Sequence, residues 1–128
     1  MSETPKTQAG VVPLRNGKVC LITSRKTGYW IVPKGMIDPG FTAEEAALQE
    51  AFEEAGLKGT IEGDVVGSYR YEKWEREYQV LLYVMRVTEV HDEWEESNQR
   101  ERYWASFAEA REMIRDNTLR KLVLSVMQ

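Results

Sequence analysis

The chain has 128 residues, 42% of them hydrophobic, which suits one domain with a real core and leaves little room for two. Charged residues make up 30% and the formal net charge is -4, a balance that argues against a general nucleic-acid binder but permits a local basic pocket for an anionic small molecule. Cys20 is the only cysteine, which excludes an internal disulfide and a zinc site of several thiolates.

In chain order, residues 1–8 read as a flexible lead-in to a single domain spanning 1–128. Ala9 to Leu14 and Val19 to Ser24 read as strands, with Asn16-Gly17 between them as a hairpin signal. Tyr29 to Val32 is a short apolar strand that stops at Pro33, ahead of the turn-rich PKGMIDPG. A helix is expected over Ala43 to Ala55, with Thr42 as N-cap, Glu45 completing a capping box and Gly56 as the stop. Lys58 to Tyr71 reads as a strand interrupted by Gly63 and Gly67. Glu77 to Val90 is a long strand with Val80, Leu82 and Val84 on one face and Leu81, Tyr83, Met85 and Val87 on the other, as in a sheet covered on both sides. Arg102 to Ala105 is a short strand, followed by helices over Ser106 to Arg115 and Thr118 to Met127. Strands interleaved with few helices imply an α/β layer fold with a mixed sheet. No apolar run approaches the roughly 18 residues of a membrane span, and the polar start MSETPKTQAG lacks a signal-type apolar stretch. With Cys20 set as a free thiol in the apolar run VCLIT, a cytoplasmic protein without membrane attachment is expected.

The expected first helix carries LQEAFEEAG, in which Glu50, Glu53 and Glu54 crowd five positions. Like charges at i, i+3 and i+4 repel on a helix surface, and these three lie near the negative end of the helix dipole. On a wheel of about 100° per residue they lie roughly opposite Leu48, Ala51, Phe52 and Ala55, with the small Ala47 and Ala51 flanking the acidic arc. A solvated acidic face is the plain reading. A bound hard divalent cation, Mg²⁺ or Mn²⁺, is the alternative, since carboxylate oxygens without His or Cys suit such ions. Glu44 and Glu45, in the first turn, are explained by capping and the dipole.

Gly35, Glu50, Glu53, Glu54, Gly56 and Leu57 fit the spacing of G, five residues, E, seven residues, R-E-aliphatic-x-E-E-x-G-aliphatic. The stretch resembles the Nudix box, with Phe41 where the family has Glu and Gln49 where it has Arg. WIVPKGM before the box and VLLYVMRVTEVHDEWEES after it resemble the diphosphoinositol polyphosphate phosphohydrolase and diadenosine polyphosphate hydrolase branch. The resemblance implies an α/β/α sandwich with a mixed sheet between helices. It also implies Mg²⁺-dependent hydrolysis of a phosphoanhydride in a phosphorylated small molecule, a dinucleoside polyphosphate or a diphosphoinositol polyphosphate. Glu50 and Glu54 become expected direct metal ligands, Glu53 a direct or water-bridged one, the Gly35 carbonyl a further ligand, and Glu50 the first candidate for general base. A fourth acid from a loop would be Glu96 or Glu101.

Lys34, beside Gly35, is a candidate phosphate contact or a solvated loop lysine. Arg15, Lys18, Arg25 and Lys26 precede it, and Arg25 is the preferred choice among them. Arg70, Lys73 and Arg76 flank the connection between the two long strands, as a basic rim or as solubilising charges. Tyr71 and Trp74 in that connection could stack on an adenine base, pack in the core, or meet a partner. A catalytically weak nucleotide sensor and an RNA 5′-pyrophosphohydrolase are the alternative functions. The acidic chain disfavours the RNA reading, and monomer and homodimer both stay open.

Overall fold

The computed structural model describes residues 4–128. The elements are β1 (Lys6–Arg15), β2 (Lys18–Thr23), β3 (Trp30–Ile31), β4 (Lys34–Met36), α1 (Ala43–Ala55), β5 (Leu57–Lys73), β6 (Arg76–Val90), β7 (Arg102–Ala105), α2 (Phe107–Met113) and α3 (Asn117–Met127). The strands form one mixed sheet in the order β3-β2-β1-β6-β5, with β4 added on β1 and β7 on β2. Only the β1–β6 pair is parallel among the described strands.

One local departure shapes the molecule. β1 and β2 leave the Asn16-Gly17 hairpin, whose two residues take positive φ values of 54° and 76°. They pair only at Leu14↔Val19 and Arg15↔Lys18 and then splay apart. The segment from β3 to β4 wedges into the gap. Ile31 and Trp30 pair with Ile22 and Thr23 of β2, while Lys34 to Met36 pair with Gln8 to Gly10 of β1. Pro33, which cannot donate to a ladder, supplies its carbonyl to the Val11 amide at 3.1 Å. The approach is so close that a Cβ on Gly10 would stand 2.5 Å from that carbonyl oxygen. The wedge carries Lys34 and Gly35 to the open end of the splay, beneath α1.

Two cores cover the two sheet faces. Ala46, Ala47, Ala51 and Ala55 of α1 pack on Ala9, Val11, Cys20, Ile22, Tyr83, Met85 and Val87. Ala110, Ile114, Leu119 and Val123 of the α2–α3 layer pack with Val12, Val19, Leu21, Val80 and Leu82 on the other face. The alternation expected for the long strand is therefore found: Val80 and Leu82 face α3, while Leu81, Tyr83, Met85 and Val87 face α1. Burial pushes the Cys20 thiol up to about 12 despite the opposing pull of Arg102, so it stays protonated inside the α1 core.

Several expectations need correction. The lead-in is shorter than residues 1–8: β1 begins at Lys6, which is laddered to Tyr78 of β6, so residues 6–8 are strand. Residues 1–3 of that lead-in lie outside the described residues. The PKGMIDPG loop contains β4, because the gap between β1 and β2 offers its backbone a partner. The strand expected over Tyr29 to Val32 shrinks to Trp30–Ile31. The third helix starts at Asn117, with the Asp116 side chain accepting the Leu119 amide as N-cap. No described helix is long and apolar enough to cross a membrane.

The first helix has the expected ends. Thr42 and Glu45 form a reciprocal capping box with bonds of 2.9 and 3.1 Å, and Gly56 caps the C-terminus in the left-handed region at φ 69°. Its buried face is rotated from the expected one, however. Glu54 is buried beside Ala47, Ala51 and Ala55, whereas Phe52 is 40% exposed at the helix edge, against the ring of His91. Ala47 and Ala51 face the sheet rather than flank an open arc. No basic residue occupies the last turn. Instead Arg102 donates to the Ala55 carbonyl at 2.8 Å and the Trp94 indole donates to the Glu54 carbonyl at 2.9 Å. Two distant side chains thus satisfy the end of a helix that its own sequence leaves electrostatically unfavourable.

Candidate active site

A cleft of about 420 Å³ opens where β1 and β2 splay. Gly35 and Lys34 of β4 and Glu50 and Glu54 of α1 line one side, together with Arg100 from the segment before β7. Arg25, Lys26 and Tyr29 of the β2–β3 connection, Tyr71 and Lys73 of β5, and Arg115 are among the residues lining the other sides.

Glu54 is the most constrained acid. It is 6% exposed, and both oxygens are engaged. Oε1 accepts the Lys34 backbone N–H at 3.0 Å and Oε2 accepts Arg100 Nη2 at 3.1 Å. Burial raises its pKa, while Arg100, the Lys34 amide and the Lys34 ammonium pull it down. Glu50 lies directly against Gly35: a Cβ on that glycine would stand 2.3 Å from Glu50 Cδ. Its pKa is pushed up to about 8 by burial, then by the negative charges of Glu54, Glu53 and Glu96 and a hydrogen bond with Glu54. The Lys34 ammonium is held below its usual value by burial, which Glu54 and Glu50 offset in part. Its Nζ sits 4.5 Å above the ring of Tyr71, whose hydroxyl donates to Gln8 at 2.7 Å.

The remaining sequence-derived candidates divide. Glu96 joins the site: it accepts Arg100 Nε at 2.8 Å, lies 3.9 Å from Arg25 Nε, and its charge reaches Glu50. Glu101 does not; it borders a separate groove beside Ser97 to Gln99, with its amide bonded to Thr23. Glu53 stands outside the cleft lining and accepts Gln49 Nε2 at 3.1 Å, though its charge reaches Glu50. Arg15 and Lys18 sit at the hairpin end of the sheet. Both border a shallow depression with Trp104, and Arg15 also lines one of about 440 Å³ with Glu62, Arg86, Val126 and Met127. They are therefore removed from the acids, because strand direction carries the β1–β2 turn away from the splayed end. Trp74 is not a lining residue. It is 76% exposed at the tip of the β5–β6 hairpin, with Lys26 Nζ 4.7 Å from its ring. Arg70 is taken by Glu77 at 3.2 Å. His91 is at the helix edge and not in the cleft.

Sequence reasoning missed Arg100, Arg115 and Tyr29. Arg100 is the most connected cation of the site, with a third bond from Nη1 to the Thr23 carbonyl at 3.0 Å. Its only local signal is the spacing Glu96 to Arg100, i and i+4. Arg115 is stacked on Tyr29, its Cζ 4.5 Å from the ring centroid.

A family profile described as the NUDIX domain matches residues 4–124. The chain belongs to the Nudix family. In its Nudix box, Gln49 spends its amide on Glu53, and Phe41 is 42% exposed, so neither supplies a charge to the cleft. Among curated Nudix relatives, diphosphoinositol polyphosphate phosphohydrolase 3-beta of Bos taurus is 36% identical over 99 residues, covering 75% of this chain and 59% of that protein. Diphosphoinositol polyphosphate phosphohydrolase 2 of Homo sapiens is 37% identical over 90 residues, covering 69% of this chain and 48% of that protein. The chain thus matches only about half the length of these relatives. Among solved structures, a Nudix-family hydrolase from Clostridium perfringens superposes with a TM-score of 0.82 at 16% identity, covering 98% of this chain and 97% of that one. The Ap4A hydrolase of C. elegans superposes with a TM-score of 0.75 at 23% identity, covering 96% and 98%. At these identities the structural likeness speaks for the Nudix fold alone.

The donor set is chemically suited to a hard divalent ion. Glu50 and Glu54 open onto the cleft and repel one another, and the missing Cβ of Gly35 leaves the cradle that the Glu50 carboxyl fills. Among the described residues no group of three or more His, Cys, Asp or Glu side chains is placed to hold a metal ion. Mg²⁺ keeps several waters and takes one or two carboxylates together with substrate phosphates, a number that Glu50 and Glu54 supply.

Proposed function

We propose that the chain hydrolyses a phosphoanhydride bond in a nucleoside polyphosphate, with dinucleoside polyphosphates as the preferred class, and that it requires a divalent cation, Mg²⁺ by chemistry. The observation that carries this reading is the opening of Glu50 and Glu54 onto the same cleft as Lys34, Arg25 and the aromatic rings of Tyr29 and Tyr71. Acids alone would describe a cation site, and cations alone an anion site. Acids, cations and aromatic faces in one cleft fit a cation-bound polyphosphate joined to a base.

Glu50 and Glu54 are the residues that would hold the ion, with the Gly35 carbonyl, Glu53 and Glu96 as further or water-bridged contacts. The bound ion would neutralise phosphate charge and acidify a coordinated water. Lys34 and Arg25 bind the phosphate oxygens as charges and set the chain of phosphates across the cleft. Glu50 takes the proton of the attacking water. Water oxygen bonds to phosphorus as the bond to the bridging oxygen breaks, and the departing phosphate carries that oxygen away. Residues 1–128 would act as one domain, and a cytoplasmic location agrees with the buried, protonated Cys20 thiol.

A second reading, diphosphoinositol polyphosphate as substrate, is favoured by the names of the curated relatives. Product analysis decides. The panel holds diadenosine penta- and hexaphosphate, a diphosphoinositol polyphosphate, ADP-ribose, nucleoside triphosphates and 5′-triphosphate RNA, with Mg²⁺ or EDTA. Cation-dependent cleavage of the diadenosine compounds supports the first reading, and preferential cleavage of the inositol compound supports the second. RNA cleavage revives an RNA 5′-pyrophosphohydrolase. Silence from a folded protein that still binds Mg²⁺ leaves the sensor.

A further inference from the structure

Arg100 is buried to 7% side-chain exposure, and its guanidinium is divided among three acceptors from different parts of the chain. Nε meets Glu96 Oε1 at 2.8 Å, Nη2 meets Glu54 Oε2 at 3.1 Å, and Nη1 meets the Thr23 carbonyl at 3.0 Å. Glu54 is buried and Glu96 largely so, with side-chain exposures of 8% and 17%. In a setting of low dielectric, two such acids need a positive charge between them. The arrangement is uneven at Glu54. Oε1 accepts the Lys34 amide, a donor whose position is fixed by the pairing of β4 with β1. Oε2 is held by a side chain alone, and a change of Arg100 rotamer frees it. The cation comes from a distant segment because α1 offers none: its last turn has no basic residue, and Gln49 is committed to Glu53.

We propose that Arg100 is a resident counter-cation: it holds Glu54 and Glu96 together while no divalent ion is bound, and it competes with that ion for Glu54 Oε2. This inference rests on the reading of Glu54 as a cation ligand given above. Ion binding is then an exchange in which a doubly charged ion displaces a singly charged guanidinium. The site would be folded and ready without its ion, at the expense of some affinity for it.

The test compares Mn²⁺ binding by the full-length wild type and Arg100→Gln, using the electron paramagnetic resonance signal of free Mn²⁺, together with melting curves in EDTA and in Mn²⁺. The inference expects Arg100→Gln to melt lower than wild type in EDTA, to bind Mn²⁺ several-fold more tightly, and to gain more melting temperature from Mn²⁺. Equal or weaker Mn²⁺ binding by the variant would overturn it and leave Arg100 as a scaffold. Should Arg100→Gln not fold, Arg100→Lys keeps a charge but loses the two-carboxylate bridge, and it should again bind Mn²⁺ more tightly than wild type; equal or weaker binding refutes the inference. No Mn²⁺ binding by wild type would remove the cation-site reading itself, which distinguishes that failure from the failure of the exchange.

Discussion

Glu50 lies against the α-carbon of Gly35, with no room for a methyl group between them. The middle residue of β4 and the acid that faces it from the helix therefore constrain each other. Gly35→Ala would force the Glu50 carboxyl out of its cradle. Displacements of about 1 Å can cost on the order of 100-fold in rate. Turnover of the preferred substrate should fall by about that factor, with the far-ultraviolet dichroism unchanged. Turnover within about twofold of wild type would show that this contact does not position Glu50.

Glu54→Gln separates two contributions. The amide oxygen can still accept the Lys34 N–H, but Arg100 loses an ionised partner. Arg100 keeps Glu96 as an ionised partner at 2.8 Å, so the loss is that of one charged hydrogen bond, about 1.5–3 kcal/mol. Urea unfolding should show a loss of that order, alongside the disappearance of cation-dependent hydrolysis. Unchanged turnover in this variant would exclude Glu54 from the chemistry.

Glu50 gives a pH dependence with a definite sign. Its pKa rises from 4.5 to about 8 on folding, so the native state retains a proton that the unfolded chain releases. Its contribution is most favourable below 4.5 and is lost as pH rises toward 8. In EDTA the melting temperature should decline by a few degrees relative to Glu50→Gln across that window. A divalent cation favours the ionised carboxylate and should reverse the trend. A wild type and variant that track each other from acid to alkaline pH would contradict the raised value.

The β5–β6 hairpin turns on Trp74 and Glu75, both at positive φ (54° and 59°), where neither residue is comfortable. Glu75→Gly should stabilise the fold by about 0.5–1 kcal/mol in chemical denaturation. Trp74→Ala removes the ring that Lys26 covers at the edge of the cleft. Because Trp74 is largely exposed, the melting temperature should hold while KM for a diadenosine polyphosphate rises severalfold and kcat stays. A change in kcat alone would mean that the hairpin tip acts on the chemistry and not on binding.

Gly56 is held in the left-handed region and is also hemmed in, since a Cβ there would meet Trp94 at 3.0 Å. Gly56→Ala combines backbone strain with a clash and should cost about 2 kcal/mol or more. Equilibrium unfolding that shows under half of that would mean Trp94 yields easily.

Most of the sheet was legible in the sequence because its strands follow period-two alternation, and the first helix because Thr42, Glu45 and Gly56 mark its ends chemically. The wedge was hidden. β4 has three residues and no alternation, and it is a strand only because β1 and β2 part. The tilt of α1 was hidden too. A helical wheel ranks Phe52 as core and Glu54 as surface by hydropathy, but the Lys34 amide and Arg100 give Glu54 buried partners that no local pattern announces. The same applies to the choice between Glu96, which pairs with Arg100, and Glu101, which borders another groove, and to Arg15 and Lys18, whose charges suit a phosphate but whose strand end points elsewhere.

The parallel pairing of β1 with β6 has a consequence for how the chain is made. β1 runs through the middle of the sheet, yet its main neighbour spans Tyr78 to Arg86 and emerges from the ribosome much later. During synthesis the most central strand must stay unpaired on that edge, and the large separation of its contacts makes closure slow. Translation halted just before β6 should leave a chain that aggregates or recruits chaperones. Release of the β5–β6 hairpin would then fill the open edge of β1, while β7 and the Arg100 and Arg115 side of the cleft are added last.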